Sequence, residues 1–309
     1  MPDHPLLEVT ARSPAKINLV LGVGSPRPDG YHPLATVYQA VGLHDDVTAS
    51  RAGTSTLTVT GEGVEVGAVP TDASNLALRA AGALASRHGL PASESGVTLR
   101  IHKRIPVAGG MAGGSTDAAA TLVACDRLWG LATPREELLA VAAELGSDVP
   151  FCLVGGTATG EGRGELVSPL ADAGEYWWVA ALPGGGLSTP GVYGELDRLR
   201  GNRPAIVPTV SEDLHRALAA GSVRQLARAL SNDLQAAALS LRPELADVLE
   251  LGRSCGALAG LVSGSGPTCL FLAGDADHAD RLAQRLRGEG VACLVAGGPV
   301  PGATLLPGL

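Results

Sequence analysis

The run Pro106-Val107-Ala108-Gly109-Gly110-Met111-Ala112-Gly113-Gly114-Ser115-Thr116 constrains this chain more than any other segment. Its four glycines strip side chains from a short loop, so backbone N–H groups can close on an anion with no Cβ in the way. Ser115 stands where an N-cap belongs, and the following run from Asp117 to Leu128 is rich in Ala and Leu, with Thr121 its one strong interruption. The loop is therefore expected to open a helix, where unpaired N–H groups and the macrodipole favour phosphate. Gly-Gly pairs also mark plain turns, which is the alternative for the loop taken alone. A Walker A loop needs Lys directly after its last Gly, and here Ser115 follows Gly114. The G-x-G-x-x-G dinucleotide spacing is broken as well. Any lysine that phosphate binding requires must come from elsewhere.

Of the 23 Lys and Arg residues only Lys16 and Lys103 are lysines. Chance survival accounts for Lys103 as readily as function does. Lys16 has more telling neighbours. Apolar residues alternate from Ile17 to Leu21, the period of a strand, so Lys16 and Asn18 share one strand face. Downstream, Asp29-Gly30 is a turn signal followed by Tyr31 and His32. Asp148 stands between Gly146 and Pro150, where a cap or turn residue would also stand.

The blocks Pro14-Ala15-Lys16-Ile17-Asn18-Leu19, Asp29-Gly30-Tyr31-His32, the glycine loop, Leu145-Gly146-Ser147-Asp148-Val149-Pro150-Phe151 and the stretch from Val262 to Thr268 occur in that order. Together they resemble the GHMP kinase superfamily, from about Ser13 to Val295. The resemblance implies an α+β, two-domain GHMP kinase fold. A ribosomal-protein-S5-like ATP-binding domain would occupy residues 1–160, and a ferredoxin-like substrate domain residues 161–309. The active site would lie in the cleft between them. The implied activity is ATP- and Mg2+-dependent phosphorylation of a tertiary hydroxyl on a cytidine diphosphate derivative, in isoprenoid precursor synthesis.

The implied roles follow the matching blocks. Asp148 would take the proton of the hydroxyl, and Lys16 would stabilise the transferring phosphoryl. Asn18, Tyr31 and His32 would hold the acceptor, with His32 on the cytosine edge. Tyr193 would stack on the base; a helix-start core aromatic is its other reading. Residues 106–116 would bind the phosphates of ATP, and Asn75, Leu76 and Lys103 its adenine side. The Ser263-Gly264-Ser265-Gly266 turn would close on the acceptor or merely join two strands. Asp117 reads as a first-turn partner of the helix dipole. A catalytically silent nucleotide sensor on the same fold is the alternative, and the retained Lys16 and Asp148 argue against it.

Composition narrows the class further. A chain of 309 residues is long enough for two domains with substantial cores. Aromatics make up 3%, so Ala, Val and Leu must fill those cores. A net charge of −8 disfavours RNA or duplex DNA as a partner, since phosphate neutralisation needs basic patches. The five cysteines show no C-x-x-C spacing and read as reduced core thiols, and the seven histidines show no zinc-like pairing. No signal segment or membrane-length apolar run is read, so a cytoplasmic enzyme is expected.

Periodicity predicts strands near 9–23, 35–49, 56–60, 97–102, 176–182, 257–263, 268–272 and 291–296. Helices are expected over 75–88, after the glycine loop, and over 135–145, 211–220, 222–239, 243–255 and 277–288. Gly155-Gly156 and the stretch 160–164 read as the crossover between domains, and 297–309 as irregular.

Overall fold

A computed structural model describes residues 8–107, 109–201 and 206–307. Two long antiparallel strands, β1 (Glu8–Val23) and β2 (Leu34–Arg51), form the spine of the first sheet. Next come β3 (Thr56–Gly61), α1 (Leu76–Arg87) and β4 (Val97–Lys103). β4 pairs antiparallel with β2 and parallel with β3. The helices α2 (Gly113–Trp129), α3 (Arg135–Leu145) and α4 (Val149–Val154) follow. A hairpin of β5 (Thr157–Glu161) and β6 (Leu166–Pro169) then returns to β2.

The second half runs β7 (Tyr176–Ala181), α5 (Thr189–Arg200), α6 (Glu212–Ala219), α7 (Val223–Ala229) and β8 (Ser231–Asn232). It continues with α8 (Gln235–Leu241), α9 (Glu244–Ser254), β9 (Ala259–Val262) and β10 (Cys269–Ala273). The chain closes with α10 (Ala276–Gly288), β11 (Cys293–Gly298) and β12 (Thr304–Leu305). The second sheet has the order β11-β7-β10-β9 and is antiparallel throughout. This is the split β-α-β-β-α-β arrangement, with the helices α5 to α9 filling the first crossover.

Alternation along the strands explains how the layers stack. On one face of the second sheet Val179, Ala181 and Phe271 pack under α9 and α10, against Leu249, Leu282 and Leu286. On the other face Trp178, Ala180 and Leu270 meet Ala15, Ile17 and Leu19 from the middle of β1. Each of these β1 aliphatics is fully buried, and burying an Ile or Leu contributes about 1.5–3 kcal/mol. The two domains are thus joined through β1, which also carries Lys16 and Asn18 on its opposite face. The indole N–H of Trp178 donates to Gln39 Oε1 across this junction at 2.9 Å. Near the first sheet's outer end, Ala118, Leu122 and Ala119 of α2 pack with Ala77 and Leu84 of α1. The small alanines let two helices approach closely where few aromatics are available.

Several expectations change. The helix expected over 222–239 is split into α7 and α8 by β8. Asn232 donates to the carbonyls of Val262 (2.8 Å) and Gly264 (2.7 Å) and accepts from Leu234 N–H (2.9 Å). These side chain–backbone bonds outcompete helix continuation. The tail expected to be irregular extends β11 to Gly298 and adds β12, which pairs with β1. The stretch read as a crossover holds the end of β5 and the turn into β6, so the first sheet continues to Pro169. Helix α4 lies beyond the elements expected, and α5 begins where the alternative reading of Tyr193 puts a helix start. No helix among the described residues is long and apolar enough to cross a membrane.

Candidate active site

A cavity of about 960 Å³ opens between the two domains. Lys16 lies at its floor, only 6% exposed. Its strand is irregular on both sides of it: the β1–β2 register shifts between Pro14 and Ala15 and again between Asn18 and Val20. Such bulges re-aim side chains out of the regular pleat. The Lys16 ammonium lies 3.2 Å from Asp148 Oδ1, donates to Asn18 Oδ1 at 3.2 Å, and sits 4.8 Å above the centre of the Tyr38 ring. Asn18 in turn donates to Thr36 Oγ1 at 2.8 Å, and Thr36 donates to the Val20 carbonyl at 2.6 Å. This chain fixes the amide so that its oxygen faces the lysine. Asp148 occupies the N-cap position of α4 but makes no capping bond with its side chain. Its carboxylate is free for the cavity, where it stays about a third exposed.

The glycine loop forms one wall. Helix α2 begins at Gly113, with Ala112 before it in the left-handed region at φ 60°. Ser115 is therefore inside the first turn, not the N-cap expected from the sequence; it still faces the cavity. The strained Ala112 turn places the helix N-terminus without any side-chain cap, leaving its N–H groups for a ligand. Gly110 has φ 71°, and a Cβ there would lie 2.6 Å from the Ser263 carbonyl. The loop thus presses against the Ser263–Gly266 turn of the other domain, and Ser263 Oγ donates to the Gly110 carbonyl at 3.1 Å. A Cβ on Gly114 would meet nothing within 4 Å and would project into cavity space. The loop is a cradle that glycine keeps open. Thr121 does not interrupt α2, because its hydroxyl donates back to the Asp117 carbonyl at 2.8 Å.

Of the residues expected at the nucleotide, Pro106, Val107, Gly109, Gly110, Met111, Ala112, Gly113, Gly114, Ser115, Asn75, Leu76 and Lys103 line the cavity. Thr116 is turned away, donating to the Pro14 carbonyl at 2.9 Å, and Ala108 lies outside the described residues. Asn75 caps α1 by accepting from Ala77 N–H at 2.9 Å. Lys103 is buried between Asp45 (2.5 Å) and Asp117 (2.7 Å). Two of the three N–H donors of an ammonium are thereby used, and one remains. Burial pulls the Lys103 pKa down, but the two carboxylates outweigh it and the net shift is upward. Asp117 is therefore not the first-turn dipole partner expected from the sequence. It lies deeper, and burial, opposed by Lys103, pushes its carboxyl well above the usual range. Asp45 also accepts the backbone N–H groups of Arg104 and Ile105, at 2.6 and 2.9 Å, which ties the β4 exit to the cradle.

Two rings meet on another part of the cavity wall. His32 and Tyr193 are 5.0 Å apart, centre to centre, at a 45° tilt. His32 Nε2 pairs with Asp197 Oδ1 at 3.0 Å. Burial raises the Tyr193 phenol to about 12, so the ring stays neutral. Tyr31 is exposed at the rim, its ring under the Arg163 guanidinium. Asp197, Tyr38 and Arg163 escaped the sequence reading. Asp197 follows Tyr193 by four residues, which puts the two on one face of α5. Tyr38 lies opposite Asn18 in the β1–β2 register, visible only once the strands are paired.

Two family models match the chain: the GHMP kinase N-terminal domain over residues 75–156 and the GHMP kinase C-terminal domain over residues 214–292. The 4-diphosphocytidyl-2-C-methyl-D-erythritol kinase of Thermobifida fusca is 58% identical over 306 residues, covering 96% of this chain and 98% of that protein. Its namesake from Streptomyces avermitilis is 57% identical, covering 97% and 100%. A crystal structure of 4-(cytidine 5'-diphospho)-2C-methyl-D-erythritol kinase superposes with a TM-score of 0.75 at 35% identity, over 94% of this chain and 99% of that one. Mevalonate kinase of L. major shares the fold alone, with a TM-score of 0.71 at 17% identity over 94% and 95% of the two chains. With both domains matched and more than half of its residues shared along nearly the whole length, this chain belongs to the GHMP kinases, among the 4-diphosphocytidyl-2-C-methyl-D-erythritol kinases.

Proposed function

We propose that the protein transfers the γ-phosphoryl of ATP to the tertiary 2-hydroxyl of 4-diphosphocytidyl-2-C-methyl-D-erythritol. The observation that carries this reading is the Lys16–Asp148 pair at 3.2 Å, in one cavity with the glycine cradle and the His32 and Tyr193 rings. A tertiary alcohol is a crowded, weakly acidic nucleophile, so a base must stand beside it. Asp148 accepts its proton. Lys16, fixed by Asn18, faces the negative charge that develops on the transferring phosphoryl. The α2 N-terminus and the cradle hold the ATP phosphates, with Asn75 and Leu76 on the adenine side. His32, held by Asp197, reads the cytosine edge while Tyr193 covers its face. Asn18 and Tyr31 complete the acceptor's contacts.

Among the described residues no cluster of three or more His, Cys, Asp or Glu could cage a metal. Mg2+ would arrive on the nucleotide and keep most of its waters. Ser115 at the cradle and Asp148 are two of the cavity's oxygen donors that would receive it. Bound there, Mg2+ supplies charge neutralisation on the phosphates. A silent sensor has no use for a buried, amide-oriented lysine on a carboxylate. The test is phosphate transfer from ATP to the cytidyl acceptor, with mevalonate and homoserine as controls. Transfer to the cytidyl acceptor alone supports the reading; comparable turnover of a control sinks it.

A further inference from the structure

We infer that Arg163, at the tip of the β5–β6 hairpin, binds the diphosphate of the acceptor and so sets its selection for a cytidyl diphosphate. The inference rests on the acceptor reading above. The base end of the cavity is marked by His32 and Tyr193, and the reaction end by Lys16 and Asp148. In a cytidine diphosphate derivative the diphosphate must lie between base and polyol, and it carries two or more negative charges that need a cation. Among the described residues, three Lys or Arg side chains line the cavity: Lys16, Lys103 and Arg163. Lys16 is paired with the base of the reaction, and Lys103 is closed between two carboxylates.

Arg163 is differently placed. Its guanidinium carbon lies 5.1 Å from the centre of the Tyr31 ring, next to His32 in sequence. Its carboxylate neighbour, Glu165, approaches Nε only to 3.8 Å, and Glu165 Oε2 accepts the backbone N–H of Arg163 at 2.6 Å. Glu165 therefore shapes the turn more than it neutralises the charge. The turn is also anchored from the reaction side. Tyr38, whose ring underlies Lys16, donates to the Gly164 carbonyl at 3.5 Å, and a Cβ on Gly164 would collide with the Tyr38 hydroxyl. The hairpin tip therefore touches both Tyr31 at the rim and Tyr38, the ring beneath Lys16. The planar guanidinium on an aromatic face, with N–H groups to spare, matches the two-point geometry that phosphate oxygens accept.

The test is calorimetric titration of the full chain with CDP and with cytidine, for wild type, Arg163→Gln and Arg163→Lys. Arg163→Gln is expected to weaken CDP by roughly 10–100-fold, the loss of a charge-assisted hydrogen-bond pair, and to leave cytidine unmoved. Arg163→Lys, which keeps charge but not the fork, should fall between. In turnover, KM for the cytidyl acceptor should rise with KM for ATP unmoved. Equal weakening of CDP and cytidine would show that Arg163 only orders Tyr31 and overturns the inference. Unchanged CDP binding in Arg163→Gln overturns it as well. A wild type that binds neither probe instead removes the acceptor reading, and this inference with it.

Discussion

Lys16 and Asp148 are the pair on which the proposed chemistry depends, and each has a substitution that separates placement from charge. Lys16→Arg keeps the charge, but a longer, planar head cannot keep the ammonium's contacts with Asn18, Asp148 and the Tyr38 ring. Loss of such a placed group costs about 3–4 kcal/mol in the transition state, so kcat should fall roughly a hundredfold or more. Steady-state rates near wild type would contradict this account of the site. Asp148→Asn retains shape and any capping ability but removes the base. General-base catalysis contributes ~10²–10⁴-fold, and kcat should fall by that much while ATP affinity holds or rises slightly. If Asp148 were only a cap, Asn would leave kcat intact. The side chain makes no capping bond, which already favours the first outcome. Both residues were legible only through the blocks that resemble a known family; taken alone, Lys16 is a strand-face position and Asp148 a cap or turn residue. Asp197 and Arg163 were not, because an Asp in a helix and an Arg in a turn are ordinary until folding brings them to the same cavity.

Two elements carry tests of their own, and both meet at the start of α2. Gly114→Val would place its side chain in the open cradle without touching protein, so the fold should survive while calorimetric ATP affinity falls sharply. Unchanged ATP binding by a folded variant would mean that the phosphates lie elsewhere. Beneath the cradle, the Asp45–Lys103–Asp117 cluster ties β2, the end of β4 and α2 together. Removing one partner of a buried ion cluster typically costs about 3–5 kcal/mol, because the charges left behind are unpaired. Lys103→Met should therefore shift the denaturant midpoint strongly. The sign of the pH dependence follows from the raised Lys103 pKa: its contribution is fully present below the ordinary value of 10.5 and is lost as pH rises through the higher folded-state value. An unchanged midpoint with only weakened ATP binding would recast Lys103 as a ligand rather than a strut. The chain's glycine spacing announced the loop and the helix after it, but not the ion cluster. Asp45, Lys103 and Asp117 are 58 and 14 residues apart as they hydrogen-bond, distances that no local pattern spans.

At the scale of the whole molecule, selectivity depends on both domains facing one cavity. A site that hydrogen-bonds and stacks a base leaves those groups unpaired when the acceptor lacks one. Such sites discriminate by up to about 10⁴–10⁵-fold. Mevalonate and homoserine, which carry no base, should therefore be turned over at least ~10³-fold less efficiently in kcat/KM than the cytidyl acceptor. Competition assays with comparable rates would show that Tyr193 and His32 are packing residues. By itself the sequence determined the local choices: the glycine loop, the helix it feeds, the strands with period two, and the residues whose chemistry is too specific for a surface. Those are short-range properties, set by backbone freedom and the spacing of apolar positions. The tertiary structure alone decided which of them meet. It split the helix expected over 222–239, because Asn232 found backbone partners in β9 and the turn after it. It also brought the tail back to β1, and through the buried middle of that strand fused the two sheets so that Lys16, the cradle and Tyr193 share one cavity. Packing of distant apolar faces does that work, and its free energy belongs to the folded whole rather than to any segment read alone.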